Sequence, residues 1–522
     1  MNVREILGFV WSPKNSDGGE QSGDAPPFST RRSVRTPTCE NEGFSGALFA
    51  LAGDSFQYLI GLGVMGLANM VLMPLYTRYL SPGEFGVYAL VEILALGLIA
   101  SASLGSGVSY LKWYAASETS SVKELLGTTL WSNGLAALLM GGFLSAFVAS
   151  DSGVHILGAP TRAFAILLLP LVLLETEQSV FLTHLRACRR PVAFSIASVV
   201  RLVAIAVFSV WLLAFLRLGL LGLFLGRVLG DLCGLFALII FSKSEISAAN
   251  SWRLSLATIR YGMPVVVSSL IMVALDGAGR YFVNRYNTLE QVGQFAVGVK
   301  IASLMRILVV APFGIAWGGL LFQIEKRVDA QFIYSKLTGY ILLLAVSVAA
   351  ILSLLSPVLL RVFATPAYEA SLSVIPLLLL VQAMMMMHYP VTVGIYLRSV
   401  TKWQTIILLI GLGVDILLNR LLVPAHGMVG ASLAMLAAWI FMVILMALVS
   451  QKYYPLRFEW KPIGLSAIIW LMATKLQRPG PLHLDWSYFL LRVSACSGIL
   501  LAAGLFVFRD IVRSEADFQP EA

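Results

Sequence analysis

Five basic side chains stand inside, or at the end of, segments that are long and apolar enough to cross a membrane. A charge at the centre of a membrane-spanning helix costs about 2.5–3.5 kcal/mol even on a lenient insertion scale, so these side chains must face protein or a wet cavity. Arginine offers a fork of donors that matches phosphate oxygens, which makes the group a candidate anion-binding site. Its members are Arg201, Arg227, Arg280, Lys300 and Arg306.

Charge pairing is the alternative interpretation of these residues. Arg227 and Asp231 are four positions apart on one predicted helix, as are Asp276 and Arg280, so each pair can neutralise itself. Both interpretations stay open for Arg227 and Arg280. The other three basic residues have no acidic residue three or four positions away, which favours a cavity position for them.

Acidic residues also stand within the apolar segments. An unpaired carboxylate in apolar surroundings can exchange a proton near neutral pH, which would suit coupling to a proton or sodium gradient. The alternative is that these carboxylates are partners of the basic side chains. The candidates for ion coupling, the first two being the strongest, are Asp415, Asp276, Glu175 and Glu92.

The composition sets the class of protein that must position these charges. The chain has 522 residues, of which 58% are hydrophobic and only 12% charged, and its mean hydropathy is +0.83. Soluble domains carry about 25% charged residues. We therefore expect a polytopic, all-α membrane protein.

Segment length supports this expectation, because a helix needs about 20 apolar residues to cross a bilayer. We predict about fourteen spans, of which the thirteenth is short. They cover residues 55–77, 85–109, 125–150, 161–183, 192–215, 218–241, 261–283, 293–320, 337–361, 371–396, 403–423, 427–450, 462–475 and 486–508.

Lysine and arginine predict the orientation. If the N-terminus is cytoplasmic, most of the 37 Lys and Arg residues fall in cytoplasmic segments, as the positive-inside rule requires. Both termini are then cytoplasmic, and the net charge of +9 follows without nucleic acid as a partner. No loop between spans is long enough for a soluble domain.

Cofactor and metal motifs are missing from the sequence. The four cysteines and five histidines show no spacing typical of a disulfide framework or a metal site, so neither is predicted. No GxxxxGK phosphate-binding loop occurs, so we expect no bound ATP. Without catalytic motifs, we expect a protein that is not an enzyme.

An internal repeat divides the chain. TRYLSPGEFGVYAL at 77–90 aligns without a gap with NRYNTLEQVGQFAV at 284–297, so that Gly86 meets Gly293. Each glycine lies where the next span begins, and Gly86 would let its span start close to a neighbour. Both copies fall on the same predicted membrane side, which makes the repeats parallel.

A second echo relates the ends of spans four and ten. LRACRR at 185–190 aligns with LRSVTK at 397–402. Spans 1–6 and 7–12 are therefore predicted to form two related six-helix bundles around a central cavity, with two C-terminal helices appended. The predicted divisions are a disordered cytoplasmic tail 1–50, an N-lobe 51–250, a C-lobe 251–455, two final spans 456–510 and a cytoplasmic tail 511–522.

Three motifs in this order resemble a known family. They are PLYTRYLSPGEFGVYALV at 74–91, GRYFVNRYNTLEQVGQFAVGVK at 279–300 and the stretch IYLRSVTKWQTIILLIGLGVDILLNRLLVPAHGMVGASLAM at 395–435. They resemble the Wzx-like oligosaccharide flippases, the polysaccharide-transport branch of the multidrug/oligosaccharidyl-lipid/polysaccharide (MOP) exporter superfamily. The resemblance departs at Gly279, where the family often has an acidic residue.

The resemblance implies a function and its partners. It implies a two-lobed transporter of the bacterial inner membrane. The substrate would be a polyprenyl-pyrophosphate-linked oligosaccharide, which the protein turns from the cytoplasmic to the periplasmic side. Membrane lipids, glycosyltransferases and a polysaccharide polymerase would be its partners. The five basic residues would then hold the pyrophosphate headgroup. Coupling to a proton gradient, a sodium gradient or the membrane potential stays open.

Two other functions are alternatives to this one. A cation-coupled multidrug antiporter of the same superfamily usually has twelve spans and a more acidic cavity, so fourteen spans and many buried cations favour the flippase. A membrane glycosyltransferase or polysaccharide polymerase would need a sizeable outer loop with acidic residues. The chain has no Asp-x-Asp sequence and no such loop.

Overall fold

The computed structural model describes most of the predicted membrane region. It covers residues 70, 72–116, 119–157, 162–247, 249–325, 329–456, 459–476 and 486–516. The predicted N-terminal tail and all of the first predicted span except residues 70 and 72–77 lie outside the described residues, as do residues 517–522 of the predicted C-terminal tail. The described residues contain helices and no strand.

Residues 72–79 are helical, and the labelled helices of the first half follow them. These are α1 Pro82–Ala102, α2 Ser106–Ala116, α3 Thr119–Ala149, α4 Asp151–Leu157, α5 Leu168–Ala187, α6 Pro191–Val210 and α7 Gly219–Ser242. A 3₁₀ turn, Ala165–Leu167, precedes α5, and a π-helical turn, Trp211–Phe215, extends α6.

The second half begins with the long helix that corresponds to predicted span 7. Its helices are α8 Trp252–Tyr286, α9 Leu289–Met305, α10 Ala311–Ile324, α11 Ala330–Phe363, α12 Ile375–Val391, α13 Val393–Leu397, α14 Lys402–Tyr453, α15 Trp460–Leu476 and α16 Trp486–Ala516. A π-helical turn, Arg306–Val310, joins α9 to α10, and a 3₁₀ segment, Pro366–Ser373, precedes α12.

Eleven helical stretches of the described chain are long and apolar enough to cross a membrane. One of them, α14, contains two predicted spans. The break between them is at Gly427, whose backbone is not helical, with φ 55° and ψ −135°. The thirteenth predicted span is α15, whose 17 residues lie at the short end of what crosses a bilayer. The predicted all-α polytopic fold class is confirmed.

Local capping explains where α1 and α9 begin. Ser81 caps α1: its Oγ accepts a hydrogen bond from the backbone N–H of Glu84 at 3.3 Å, and Glu84 Oε2 accepts from the Ser81 N–H at 2.9 Å. Thr288 caps α9, and its Oγ1 accepts from the Gln291 N–H at 3.3 Å. The two repeat motifs therefore build equivalent helix starts.

A glycine stripe on α7 brings α6 into close contact. A Cβ added to Gly226 would lie 2.8 Å from Ser209 Oγ, and one added to Gly234 would lie 2.8 Å from the Cβ of Arg201. Small residues at this spacing let two helices pack backbone against backbone. The stripe fixes the position of Arg201, because the Arg201 side chain packs against Gly234 of α7.

Helices α1 and α9 form the main seam between the two halves. Gly86 and Gly293, aligned in the repeat, face one another: a Cβ on Gly86 would overlap the Leu289 carbonyl, and a Cβ on Gly293 would overlap that of Pro82. The predicted close approach at Gly86 is thereby confirmed. We call this glycine pair the outer contact, after its predicted membrane side.

A second contact between the halves lies at the other end of α1. The turn after α1 places Gly105, with φ +70°, against Gly262 of α8, and a Cβ on either glycine would overlap backbone atoms of the opposite segment. Only glycine adopts this positive φ without strain. We call this pair the inner contact.

Candidate functional site

Six charged side chains from five helices form one connected cluster, the ion-pair network. Their side chains are between 0% and 19% exposed. Acidic and basic members are equal in number. They are Glu92 on α1, Glu175 on α5, Arg201 on α6, Arg227 and Asp231 on α7, and Lys300 on α9.

Within the first half, Glu175 lies between two arginines. Its Oε1 is 3.2 Å from Arg201 Nη2 and 2.5 Å from Arg227 Nη2. Arg201 also donates from Nε to Asp231 Oδ1 at 2.6 Å. One carboxylate thus holds the guanidinium groups of α6 and α7 together.

The network crosses to the second half through Glu92. Its Oε1 is 3.8 Å from Arg227 Nη1, and both of its oxygens accept from Lys300 Nζ at 3.2 Å. Tyr88, one turn before Glu92 on α1, donates to Glu92 Oε1 at 2.8 Å, and its ring centroid lies 5.4 Å from Lys300 Nζ. The seam between α1 and α9 therefore contains buried ion pairs near its middle and the glycine pair of the outer contact at one end.

The ion pairs differ from those that helix spacing offered as an alternative. Arg227 pairs with Glu175 and Glu92 on other helices, while Asp231, four residues from it, pairs with Arg201. Arg201 and Lys300, which have no acidic residue at helical spacing, are each ion-paired. Breaking one partner of such a buried pair is costly because it leaves an uncompensated charge.

Arg306 and Asp276 form a separate pair between α8 and the turn after α9. Arg306 Nη1 lies 3.1 Å from Asp276 Oδ2, and their side chains are 32% and 26% exposed. Asp276 does not pair with Arg280, the alternative that helix spacing left open: among the described residues, its ion pair is with Arg306. The π-helical turn begins at Arg306.

Arg280 is the least satisfied of the five basic residues. It is 6% exposed, and its Nη1 donates to the backbone oxygen of Ala89 on α1 at a long 3.5 Å. Its Nε has no hydrogen-bond partner, and it joins none of the ion pairs found among the described residues. A buried guanidinium with spare donors is suited to an anionic ligand.

Asp415 lies on α14, apart from the ion pairs of the described chain. It is 1% exposed, and its Oδ1 accepts a hydrogen bond from Asn419 Nδ2 at 3.1 Å. Its Oδ2 has no hydrogen-bond partner among the residues that the structure describes. The predicted coupling role of Asp415 stays a prediction, and so do those of Asp276, Glu175 and Glu92.

A cavity of about 340 Å³ lies beside the inner contact. None of the predicted binding residues lines it. Its wall is formed by the turn after α1 and by α2, α5, α6 and α8, and contains Arg186 of the LRACRR motif, which was not among the predicted site residues. The other polar lining side chains are Ser103, Ser106, Ser179, Thr183 and Ser269.

Sequence comparison places the chain among polysaccharide-biosynthesis proteins. The family model described as "Polysaccharide biosynthesis protein" matches residues 52–324, which is more than half of the chain. No curated protein matches the chain in sequence.

Structural comparison identifies similar folds. A lipid II flippase, MurJ, in an inward closed conformation matches with a TM-score of 0.66 at 12% identity, covering 88% of this chain and 99% of that one. An inward-facing multidrug resistance MATE family transporter of the MOP superfamily matches with a TM-score of 0.57 at 16% identity, covering 76% and 94%. At these identities the likeness concerns the fold.

Proposed function

Since the chain belongs to the polysaccharide biosynthesis protein family, we propose that it moves a polyprenyl-pyrophosphate-linked oligosaccharide across the bacterial inner membrane. The exported oligosaccharide would be used in O-antigen, capsule or exopolysaccharide synthesis, together with glycosyltransferases and a polymerase. Both termini would be cytoplasmic, as the Lys and Arg distribution predicts. The fold shared with a lipid II flippase supports transport of a lipid-linked substrate.

The observation that carries this proposal is the buried guanidinium of Arg280, which lies beside the ion-pair network and joins no ion pair within the described chain. A pyrophosphate needs fixed cations in a place shielded from water, and Arg280 supplies a fork of donors with few partners. Lys300 and Arg227 are held by Glu92 close to the same seam. Further positive charge is therefore present but neutralised in this conformation.

The network suggests how binding and movement would be linked. An incoming pyrophosphate would compete with Glu92 and Glu175 for their cations, which weakens contacts between helices of the two halves. Charge pairs that form in one conformation and break in another bias a two-state equilibrium. Alternating access would then use the same cations to hold the headgroup and to close the seam.

Coupling would use a carboxylate that the network does not satisfy. Glu92 and Glu175 are held by two cations each, whereas Asp415 keeps one oxygen without a partner and Asp276 is partly exposed. We place proton or sodium coupling at Asp415 first and Asp276 second. The membrane potential is the alternative driving force.

The test measures the sidedness of radiolabelled lipid-linked oligosaccharide in cells that lack the gene. We expect the labelled lipid to accumulate on the cytoplasmic leaflet and the wild-type gene to restore its export. Unchanged sidedness would overturn the proposal. Drug export that depends on the gene, with normal sidedness, would favour the multidrug antiporter instead.

Replacing Arg280 by methionine tests the headgroup contact. A hydrogen bond to a charged group contributes about 1.5–3 kcal/mol, so we expect export to fall by about ten- to one-hundredfold while membrane abundance is kept. Arg162→Met is the matched control, because Arg162 pairs with Asp151 at an exposed position. Export that survives Arg280→Met would remove Arg280 from the binding site.

A further inference from the structure

A second polar cluster lies away from the ion-pair network, at the predicted cytoplasmic ends of α5 and α7. His184 and Cys188 are one helical turn apart at the end of α5, and Glu245 lies in the turn after α7. One ligand atom from each of the three lies within 4.8 Å of the others. We propose that these side chains bind a divalent transition metal ion of the zinc type.

The distances suit such an ion after a small adjustment. Zinc bonds of about 2.0–2.3 Å at tetrahedral angles separate ligand atoms by about 3.3–3.6 Å. Cys188 Sγ is 3.6 Å from His184 Nε2 and 3.8 Å from Nδ1, so the thiol lies beside the ring and would rotate towards Nε2 to share a metal with it. Glu245 Oε2 is 2.6 Å from the same nitrogen, a hydrogen-bond distance, and its side chain is 19% exposed and can rotate outwards.

The groups behind the ligands are placed as a metal site requires. Tyr110 Oη lies 2.8 Å from His184 Nδ1, so it can accept the Nδ1–H and leave Nε2 free for the metal. Arg190 Nη2 lies 2.7 Å from Glu245 Oε1, which leaves Oε2 for the metal. His184 and Glu245 are thus each oriented by a partner on the atom that the metal does not use.

The charges and the compartment also fit. The metal would replace the proton shared by His184 and Glu245 and the thiol proton of Cys188, so a thiolate and a carboxylate neutralise the divalent ion. Thiols stay reduced on a cytoplasmic face, so Cys188 is kept from disulfide formation there. With three protein ligands, water would take the fourth position.

Sequence spacing did not reveal this ligand set, because Glu245 is remote in the chain from the other two. The site would tie the end of α5 to the turn after α7. Helix α5 also supplies Ser179, Thr183 and Arg186 to the wall of the 340 Å³ cavity. The metal would therefore stiffen one wall of that cavity.

Cobalt binding by the full-length protein in detergent tests the proposal. After chelator treatment, the wild type should bind one Co²⁺ per chain with a thiolate-to-cobalt charge-transfer band, and Zn²⁺ should displace it. Cys188→Ser should abolish the band and weaken zinc affinity at least tenfold. Cys233→Ser is the matched control, a half-buried cysteine outside the ligand group, and should keep the band.

A second variant keeps the test decisive if Cys188→Ser fails to fold. Tyr110→Phe removes the partner of His184 Nδ1 and should weaken metal affinity about ten- to one-hundredfold while the thiolate band persists. A wild type without the band, or a band that survives Cys188→Ser, would show that the cluster is a metal-free hydrogen-bonded contact and would overturn the proposal.

Discussion

The outer contact and the inner contact join the same two halves of the molecule, but they are built differently. At the outer contact, Gly86 and Gly293 lie backbone against backbone at the starts of α1 and α9. Hydrogen bonds between the halves surround them: Thr77 Oγ1 donates to the Phe363 oxygen at 3.2 Å, and Tyr368 Oη donates to the Leu80 oxygen at 3.0 Å.

The inner contact has fewer hydrogen bonds between the halves in the part of the chain that the structure describes; at that end, the Ser251 N–H donates to Thr128 Oγ1 at 3.1 Å. Gly105 meets Gly262 backbone to backbone, but the 340 Å³ cavity begins directly beside them, and Gly105 itself lines it. The outer end is therefore close-packed with several hydrogen bonds, while the inner end has fewer and lies next to open space. The difference indicates that the inner end has more room to change.

The largest expected effect comes from breaking the outer contact with Gly86→Leu. The new side chain would overlap the Leu289 carbonyl, and overpacking of this kind costs about 1–3 kcal/mol or more, so we place it at about 3 kcal/mol. The thermal midpoint in detergent should fall. Labelling of Leu289→Cys by a membrane-impermeant maleimide should rise at least tenfold.

Gly83→Leu is the control for that variant, because a Cβ at Gly83 would have no atom of the described residues within 4 Å. It should leave both the thermal midpoint and the labelling rate near the wild-type values. Equal behaviour of the two variants would mean that the glycine contact is not what closes the outer end.

A smaller effect is expected from Gly262→Ala at the inner contact. Its Cβ would overlap the Leu104 carbonyl, but the turn can shift into the neighbouring cavity, so we expect a cost of about 1–2 kcal/mol. Labelling of Val108→Cys, an exposed residue of the cavity wall, should rise a few-fold. Labelling of Leu289→Cys should not change.

Gly107→Ala serves as the inner control, since a Cβ there also has no atom within 4 Å. If Gly262→Ala also raised labelling at position 289, the two ends would open together and the proposed difference between them would fail.

The sequence predicted the helices and a close approach at Gly86, but not the backbone contact of Gly105 with Gly262. Span lengths follow from bilayer thickness, so the helices lie close to their predicted positions. Gly86 and Gly293 were aligned by the repeat alone, and the structure brings these two residues into contact with each other. A glycine at a helix start signals close approach because no side chain stands in the way.

Side-chain partners were harder to predict, because the sequence shows only neighbours on one helix. Spacing suggested that Arg227 pairs with Asp231 and Asp276 with Arg280, yet each of these four residues lies closer to groups on other segments. Lys300 and Glu92 are 208 positions apart. Such partners are fixed by how helices pack, which depends on all their faces together.

The smallest expected effect tests the hydrogen bonds that distinguish the outer end. Tyr368→Phe removes the hydroxyl that donates to the Leu80 oxygen and leaves that buried acceptor unpaired, at a cost of about 1 kcal/mol. The thermal midpoint should fall slightly, and labelling of Leu289→Cys should rise about two- to fivefold, because 1 kcal/mol shifts an equilibrium by that order.

Tyr79→Phe is the matched control, because the Tyr79 side chain is 48% exposed and its hydroxyl can bond to water. It should change neither measurement. If Tyr368→Phe raised the labelling of Val108→Cys and not that of Leu289→Cys, the hydrogen bond would restrain the inner end. The glycine pairs would then hold both ends equally, and only the cavity beside the inner contact would distinguish the two ends.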